Sequence, residues 1–420
     1  MDEAGRGESE VSARTWCATR YCLGVPELKR NPGLLCVFHA LQMSLFPMAI
    51  LTVFYREDLG MTMAEIMLVQ GGFGLAMALF EFPSGYLADR IGYRRTLVIA
   101  SLLNAIGWSI YARADGIGGV ILGEVVLGIG ISLISGSDQA LLYESLKETE
   151  HEGDYGKWNG RVRFWGQLGE GSAALVAGLM FAHWARLPFV AEAVIWIVNL
   201  YVAWCLVEPA RHRPPTGGNW QQVKTMVRFV SRESPRLRAV MLLTIALGMS
   251  SFIPVWTIQL YATDAGMDAA WLGVVWAVAN YSVALSSLFA TRLSNRIGLF
   301  RLMILCVALI GIGYAGMGLS HTLWGVGFYL VLTTMRGLFS PPLGHEEQRL
   351  IPSSDRAGFL SLRSLTFRGC FLIIAPMIGF AMDAYGQHAV LLAVGAAMVL
   401  ACVASMTSLA RHGGFGESGG

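Results

Sequence analysis

The chain has 420 residues, of which 54% are hydrophobic and 14% are charged. This composition is too apolar for a soluble globular protein and is typical of a protein that crosses a membrane several times. The formal net charge is +2, from 31 lysines and arginines and 29 acidic residues. Because there is no strong basic bias, we expect no nucleic acid partner.

Apolar runs long enough to cross a hydrocarbon layer of about 30 Å recur along the whole chain. We expect twelve spans, at residues 33–55, 62–86, 96–113, 117–143, 159–182, 187–207, 238–261, 268–291, 301–320, 322–346, 358–381 and 386–410. Lipid cannot satisfy open backbone groups, so every span should be a helix. The predicted fold class is an all-α membrane protein with twelve transmembrane helices.

The positions of lysine and arginine predict the orientation, because these residues are retained on the cytoplasmic side during insertion. With both termini inside, only Arg56, Arg113 and Arg186 fall in outer loops. We expect an integral protein of the plasma (inner) membrane with cytoplasmic termini. The polar residues 1–32 should form a cytoplasmic tail and not a cleaved signal peptide.

The longest loop, at 208–237, opens with "EPARHRPPTGGNW" and divides the chain into two halves of six spans each. Apolar and basic residues then alternate at helical spacing, which fits either a helix on the membrane surface or a solvated linker. The predicted domains are a tail at 1–32, a bundle at 33–207, the central loop at 208–237, a second bundle at 238–410 and a tail at 411–420.

A short repeat relates the two halves. The segment "GYLADRIGYRR" at 85–95 follows the second span, and "TRLSNRIGLFR" at 291–301 follows the eighth. Aligning Gly92 with Gly298 gives an offset of 206 residues and places Asn295 at the position of Asp89. Two similar halves suggest a binding site between them that is worked by alternating access.

The first copy resembles the loop signature of the major facilitator superfamily, Gly-x-Leu-Ala-Asp-Arg-x-Gly-Arg-Arg/Lys. The matching residues are Gly85, Leu87, Asp89, Arg90, Gly92 and Arg94. Only Tyr93 departs from the pattern, and the similarity in topology covers roughly residues 33 to 410. The resemblance implies two pseudo-symmetric six-helix bundles and a transport function.

The same resemblance implies a conformational latch at the cytoplasmic face. In the family's manner, Asp89 would meet the start of the eleventh span, where a helix N-terminus favours negative charge. Arg90 or Arg94 would reach acids at the end of the fourth span, and these contacts would hold the outward-open state. The latch residues are Gly85, Asp89, Arg90, Gly92, Arg94, Arg95, Asp138 and Glu144. A loop whose only role is to carry positive charge on the cytoplasmic side would explain the arginines but not the glycines or the aspartate.

Two further family patterns are incomplete. In members of the family the fourth span often carries an arginine at the position of Glu124 in this chain. The family's antiporters often have a pattern of small residues with a proline in the fifth span, and "GQLGEGSAALVAG" at 166–178 has the small residues but lacks the proline. The resemblance therefore suggests antiport without specifying its residues.

Ionisable side chains inside a membrane cost about 2.5 to 3.5 kcal/mol or more, so they are functional candidates by default. We predict Glu170 as the main proton-coupling residue and Asp138 as a second candidate. A carboxylate deprived of water favours its protonated form, and an approaching arginine reverses that preference. The alternative is a static ion pair between helices, with Arg336 or Arg368 as the partner.

Other polar residues at similar depth could line a substrate cavity. The candidates are His39, Gln42, Asn280, Tyr281, Arg336 and Arg368. Hydrogen bonding between helices, worth roughly 0.6 kcal/mol per contact, is the alternative for the uncharged members of this set.

We expect no enzymatic activity, because the chain lacks zinc-protease, nucleophile-turn and phosphate-binding loop motifs. Seven cysteines without metal-ligand spacing give no reason to expect a metal or cofactor. The predicted function is a monomeric secondary transporter in the lipid bilayer, exporting a small molecule with protons as the coupling ion. A metabolite importer or facilitator, or a non-transporting receptor or scaffold, remain alternatives.

The predicted orientation can be tested by labelling. Single cysteines placed beside Asp58, Asp115 or Asp264 should react with a membrane-impermeant thiol reagent in intact cells, whereas a cysteine beside Lys224 should react only after permeabilisation. The reverse pattern would overturn the orientation.

Overall fold

The computed structural model describes residues 27–210, 228–230, 234–351 and 356–412. Within these ranges the chain is helical, with no strand. The expected N-terminal tail, most of the central loop with its amphipathic segment, and the last eight residues lie outside the described residues.

The first half contains six spans, four of them continuous. Helix α1 has two parts, α1a (Asn31–Gln42) and α1b (Leu51–Glu57), joined by a 3₁₀ turn at Phe46–Ala49; then come α2 (Met63–Ile91), α3 (Tyr93–Tyr111), α4a (Ile117–Ile134), α4b (Ser137–Glu148), α5 (Tyr155–His183) and α6 (Leu187–Cys205).

The second half has the same plan. Helix α7 is divided into α7a (Pro235–Phe252), a 3₁₀ turn at Ile253–Trp256 and α7b (Ile258–Asp264); it is followed by α8 (Leu272–Ile297), α9 (Leu299–Leu319), α10 (Trp324–Leu350), α11 (Arg356–Tyr385) and α12 (Gln387–Arg411).

All twelve expected spans correspond to helices in this structure. Of the described residues, nine helical segments are long and apolar enough by composition to cross a membrane. Helices α3, α5 and α10 account for the other three spans, and their sequences contain more charged and polar side chains. The predicted all-α membrane fold is confirmed.

The expectation of continuous spans was wrong for the first, fourth and seventh helices. Pro47 and Pro254 lie in the 3₁₀ turns that interrupt α1 and α7, where a residue without a backbone N–H cannot continue the helical ladder. Gly136 separates α4a from α4b with a φ of 86°, a conformation that glycine adopts without strain.

Each half forms a six-helix bundle through extensive contacts among its own helices. Helix α3 packs on α4a and α6 in the first bundle, and α10 packs on α8 and α9 in the second. The repeated loops also share backbone geometry, since Gly92 has φ 104° and ψ 150° and Gly298 has φ 85° and ψ 147°. Each of these glycines ends one helix and begins the next.

Contacts between the bundles are made mainly by α2 with α11 and by α5 with α8. We call the ends that carry Asp58, Asp115 and Asp268 the outer face, following the arginine distribution, and the opposite ends the inner face. On α2 the described contacts with the second bundle run from Met63 at the outer end to Met77 near the middle. This conformation is therefore closed at the outer face.

Asp383, near the end of α11, holds the outer closure at the start of α2. Its two carboxylate oxygens accept hydrogen bonds from the backbone N–H groups of Met63, at 2.9 Å, and Ala64, at 2.8 Å. These groups belong to the first turn of a long helix, where the helix dipole favours negative charge. Gly379, one turn earlier on α11, lets the two backbones approach because a side chain there would collide with Met63 and Ala64.

Replacing Asp383 should open the outer face. In Asp383→Ala two charge-assisted hydrogen bonds are lost, so outward-open molecules should become roughly tenfold more abundant. The measurement is the distance between spin labels placed on the outer ends of α2 and α11. Asp115→Ala is the control, because Asp115, also at the outer face, pairs with Arg186 of its own bundle at 2.7 Å. Equal distance distributions in wild type and Asp383→Ala would contradict the assignment.

Candidate functional site

The main candidate site is a group of polar side chains that meet between α5 and α8, which we call the central cluster. Its members are Gln167, Glu170, Trp276, Asn280 and Arg336. The indole of Trp276 donates to Oε1 of Glu170 at 3.4 Å, and the amide of Gln167 donates to Oε2 at 3.4 Å. Asn280 and Arg336 also act on this carboxylate from the second bundle.

Glycine positions bring α5 and α8 close enough to form the cluster. A side chain at Gly273 of α8 would collide with the carbonyl oxygen of Ala174, and one at Gly178 of α5 would collide with that of Ala270. These small residues allow direct backbone packing, as is common between membrane helices. The predicted candidates Asn280 and Arg336 are thereby brought to Glu170.

Tyr281 lies at the edge of the same contact. Its hydroxyl faces α5, since a Cβ atom on Gly171 would lie 2.8 Å away from it, yet 55% of the tyrosine is exposed. The side chain thus touches the first bundle while part of its surface stays open.

Glu170 makes no ion pair among the described residues, although Arg336 is near enough to act on it electrostatically. Arg368 points elsewhere: its guanidinium donates to Sδ of Met77 at 3.1 Å and to Oγ of Ser364 at 3.3 Å. The charge that acts on Arg368 is Glu81 of α2, a residue that the sequence analysis missed. The alternative in which Arg368 pairs with Glu170 is therefore wrong for this conformation.

A second polar site lies in the first bundle, near the inner face. It is a cavity of about 210 Å³ between α1a, α4b and α5, which we call the inner cavity. It is lined by Leu35, Phe38, His39, Asp138, Gln139, Leu142, Asn159, Val162 and Arg163. The Nδ1 atom of His39 lies 3.9 Å from Oδ2 of Asp138.

The inner cavity and the central cluster are neighbours along α5. His39 packs against Gly166, which is one helical turn from Glu170, and Gln42 interacts with the ring of His39. Of the predicted cavity residues, His39 and Gln42 therefore lie on the inner side of Glu170, and Asn280 and Tyr281 lie opposite it. Asp138, which was predicted for the latch, belongs instead to the inner cavity in this structure.

The loop between α2 and α3 is held by a residue that the sequence analysis did not identify. Glu208, just after α6, accepts hydrogen bonds from the backbone N–H groups of Tyr93, at 2.9 Å, and Arg94, at 2.8 Å. The guanidinium of Arg94 donates to the carbonyl oxygen of Trp204 at 2.7 Å and lies over its ring. These contacts anchor the start of α3 to the end of α6.

The expected contact of Arg94 with Asp138 or Glu144 is not made among the described residues. The reason is geometric, because Glu208 and Trp204 hold Arg94 against α6 while Asp138 faces His39.

Three other latch residues lie near this loop. Arg90 lies over the ring of Tyr86, with its Cζ atom 5.5 Å from the ring centre, Arg95 is exposed, and Gly85 has open space around it. The side chain of Asp89 lies outside the described residues.

Two buried acids of the first bundle were also not selected from the sequence. Glu124 of α4a accepts hydrogen bonds from the hydroxyls of Tyr111, at 2.5 Å, and Tyr55, at 3.3 Å, and from the amide of Gln70 at 3.2 Å. Glu192 of α6 is fully buried. Both stand in apolar runs, so the rule that singled out Glu170 would have found them.

Comparison with known proteins gives a consistent family. The sequence profile described as Major Facilitator Superfamily matches residues 33–368. The chain is 36% identical over 124 residues to the inner membrane transport protein YajR of Escherichia coli K12, a match that covers 29% of this chain and 27% of that protein.

Two longer matches are to drug-resistance proteins. The chain is 20% identical over 360 residues to the quinolone resistance protein NorA of Staphylococcus aureus MRSA252, covering 82% of this chain and 87% of that one. It is 24% identical over 300 residues to the class G tetracycline resistance protein of Vibrio anguillarum, covering 70% and 75%.

Among solved structures, the nucleoside transporter NupG superposes with a TM-score of 0.72 at 16% identity, covering 90% of this chain and 98% of that one. The POT family transporter PepTSo gives a TM-score of 0.72 at 15% identity, covering 91% and 98%. At these identities the likeness shows the fold alone.

Gly92 should be essential for switching between states. At its φ of 104° a leucine would be strained by about 1 to 2 kcal/mol, so Gly92→Leu should lower transport about tenfold or more while membrane insertion continues. Asp89→Asn should act in the same direction by removing the latch charge. Transport into proteoliposomes and the amount of protein in the membrane are the two measurements.

The control for Gly92→Leu is Gly327→Leu, because Gly327 lies within α10 and a Cβ atom there would have no neighbour within 4 Å among the described residues. Normal turnover in both Gly92→Leu and Asp89→Asn would refute the latch.

Proposed function

Because the chain belongs to the Major Facilitator Superfamily, we propose that this transporter exports a small molecule in exchange for protons. The observation that carries the proposal is the carboxylate of Glu170 in one bundle, which accepts a hydrogen bond from Trp276 in the other. A titratable group on the moving boundary between two bundles can change its protonation whenever the bundles move.

The coupling follows from the surroundings of Glu170. Burial favours the neutral acid, whereas the indole N–H of Trp276, the positive charge of Arg336 and the amide of Gln167 favour the ionised carboxylate. Movement of α8 away from α5 changes both the burial of Glu170 and its distance from Trp276 and Arg336, so proton binding is linked to the movement.

Proton antiport requires that the state closed at the outer face release a proton inward and that the opposite state take up a proton from outside. Export follows if substrate binds while Glu170 is ionised and leaves when it is protonated. Asp138 in the inner cavity, 3.9 Å from His39, is placed to pass the released proton toward the cytoplasm.

The direction of transport is inferred from the relatives. NorA and the class G protein are described as resistance proteins, a description that fits removal of a compound from the cell. The closed outer face by itself supports neither direction, because importers and exporters both pass through such a state.

The remaining features of the proposal follow from the sequence. The protein acts as a monomer in the plasma (inner) membrane, with both termini in the cytoplasm. Bundles at 33–207 and 238–410 form its two moving bodies. Substrate binds between them, beside the central cluster, in contact with Asn280 and Tyr281.

Glu170→Gln should uncouple transport from the proton gradient. Glutamine keeps the shape and part of the hydrogen bonding of glutamate but cannot change its charge. In proteoliposomes, accumulation driven by a pH difference should fall to background, whereas exchange of substrate at equal pH should continue. A quinolone and a tetracycline are the first compounds to assay, because relatives of the chain are named for resistance to them.

Two measurements distinguish a coupling role from a structural one. If Glu170 only balances Arg336, the variant leaves this arginine without its acid, and the melting temperature in detergent should fall together with exchange. Glu57→Gln, at the exposed end of α1b, controls for the substitution itself. A folded Glu170→Gln protein that still concentrates substrate under a pH difference would falsify the coupling role.

A further inference from the structure

Glu192 occupies an unusual position in the first bundle. The residue is fully buried in α6, and its Oε2 atom accepts a hydrogen bond from the backbone N–H of Phe46 at 3.1 Å. Among the described residues its Oε1 atom accepts no hydrogen bond of ordinary geometry, although the indole Nε1 of Trp196, itself unpaired, lies close enough to act on the carboxyl group. A buried carboxyl group with one unpaired oxygen is costly, so this one requires an explanation.

The N–H group that Glu192 binds is released by the break in α1. At this break Leu45 has a φ of 23°, a strained value for a residue with a side chain, and the 3₁₀ turn Phe46–Ala49 follows. The turn contacts α5 and α6 of its own bundle and α8 of the other. The break therefore lies between Glu192 and the boundary along which the two bundles meet.

The charged and titratable groups on the helices packed against Glu192 are engaged elsewhere. On α1 and α3, Tyr55 and Tyr111 bind Glu124. On α1a, His39 faces Asp138, and on α5, Glu170 faces α8. Among the described residues no side chain charge acts on Glu192, which has only neutral donors beside it.

The segment that begins at Phe46 is also tied to the second bundle, by Gln259 of α7b. The side-chain amide N–H of Gln259 donates to the carbonyl oxygen of Met48 at 2.7 Å. The Oε1 atom of Gln259 accepts hydrogen bonds from the backbone N–H and the hydroxyl of Thr52, both at 2.9 Å. Gln259 and Thr52 are both buried, and hydrogen bonds removed from water are strong, so this link between the bundles is strong. Movement at Phe46 is therefore transmitted to the closure at the outer face.

We propose that Glu192 is a second proton-binding site, whose occupancy controls the outer half of helix α1, residues 46–57, and through Gln259 the closure between the bundles. The proposal does not require that Glu170 carry the transported proton. Its ligand is a proton taken from water at the boundary between the bundles.

The chemistry is a single proton transfer. A hydronium ion gives one proton to Oε1, the oxygen that Phe46 does not bind: an O–H bond of the hydronium ion breaks, water is released, and the new O–H bond cancels the negative charge of the carboxylate. The bond from Phe46 N–H to Oε2 then loses its charge assistance, which accounts for about half of its strength. The neutral acid holds the start of the segment less firmly, and the strain at Leu45 can relax.

Hydrogen exchange followed by mass spectrometry tests this directly on the purified full-length protein, without any substrate. Exchange of peptides covering residues 46–57 is measured across pH and corrected for the intrinsic pH dependence of amide exchange. In wild type we expect roughly fivefold faster corrected exchange at low pH, since the bond at Phe46 is weakened there. Corrected exchange that does not vary with pH in wild type overturns the proposal, whatever the variants do.

Variants assign the effect to Glu192. Glu192→Gln mimics the protonated acid, so its segment should exchange at the fast, low-pH rate at every pH, and Glu192→Asp should keep a pH dependence. Glu170→Gln is the control, because it removes another carboxyl group of the same bundle whose hydrogen bonds come from Trp276 and Gln167, outside residues 46–57. It should keep the wild-type pH dependence. Retention of that dependence in Glu192→Gln, or its loss in Glu170→Gln alone, would overturn the assignment.

The outcome is separable from that of the proposed function. Glu170→Gln should abolish accumulation driven by a pH difference and leave the pH-dependent exchange of residues 46–57 unchanged. If transport proves not to be proton-coupled, the exchange measurement still decides the role of Glu192.

Discussion

Every polar group that a membrane helix exposes must find a partner inside the protein, and the interrupted helices of this transporter depend on that constraint. The breaks in α1 and α7 release backbone groups that water cannot reach. Gln259 binds the groups of Met48 and Thr52 from across the bundle boundary, and Glu192 binds Phe46 from within its own bundle. The same hydrogen bonds that complete the broken helix also join the bundles.

The outer closure and the expected cytoplasmic latch use the same two helices, α2 and α11, and in each an acid of one helix meets the N-terminus of the other. At the outer face an acid near the end of α11, Asp383, binds the start of α2. At the inner face the family resemblance predicts that an acid near the end of α2, Asp89, meets the start of α11. The two helices would then exchange roles as acid and helix N-terminus, so each state would be stabilised by the same kind of interaction and neither would be strongly favoured.

The acids of the first bundle differ in how completely their oxygens are hydrogen-bonded, and the role proposed for Glu170 rests on this difference. Glu124 has three donors and holds Tyr55, Tyr111 and Gln70 in place. Glu170 has weaker donors at 3.4 Å and lies where the bundles meet. A fully bonded acid stabilises a fold, whereas a loosely bonded one at a moving boundary can change its protonation at little cost.

The sequence alone was sufficient for the membrane fold, the positions of the spans and the repeat, because these depend on hydropathy and on glycines at positive φ, but it did not reveal the breaks in the first, fourth and seventh spans. It also selected Glu170, since a charge in an apolar run is conspicuous. The same rule applied to Glu124 and Glu192, but hydropathy cannot tell which acid faces the other bundle and which stays inside its own.

Only the tertiary structure decided the partners. Asp383 and Glu208 stand at helix ends, where an acidic residue is ordinary, and their role depends on which helix start lies opposite them. Arg368 and Glu170 lie at similar depth in their helices, yet one faces α2 and the other faces α8. A linear pattern records depth in the membrane, whereas the direction of a side chain around its helix is set by packing between helices distant in sequence.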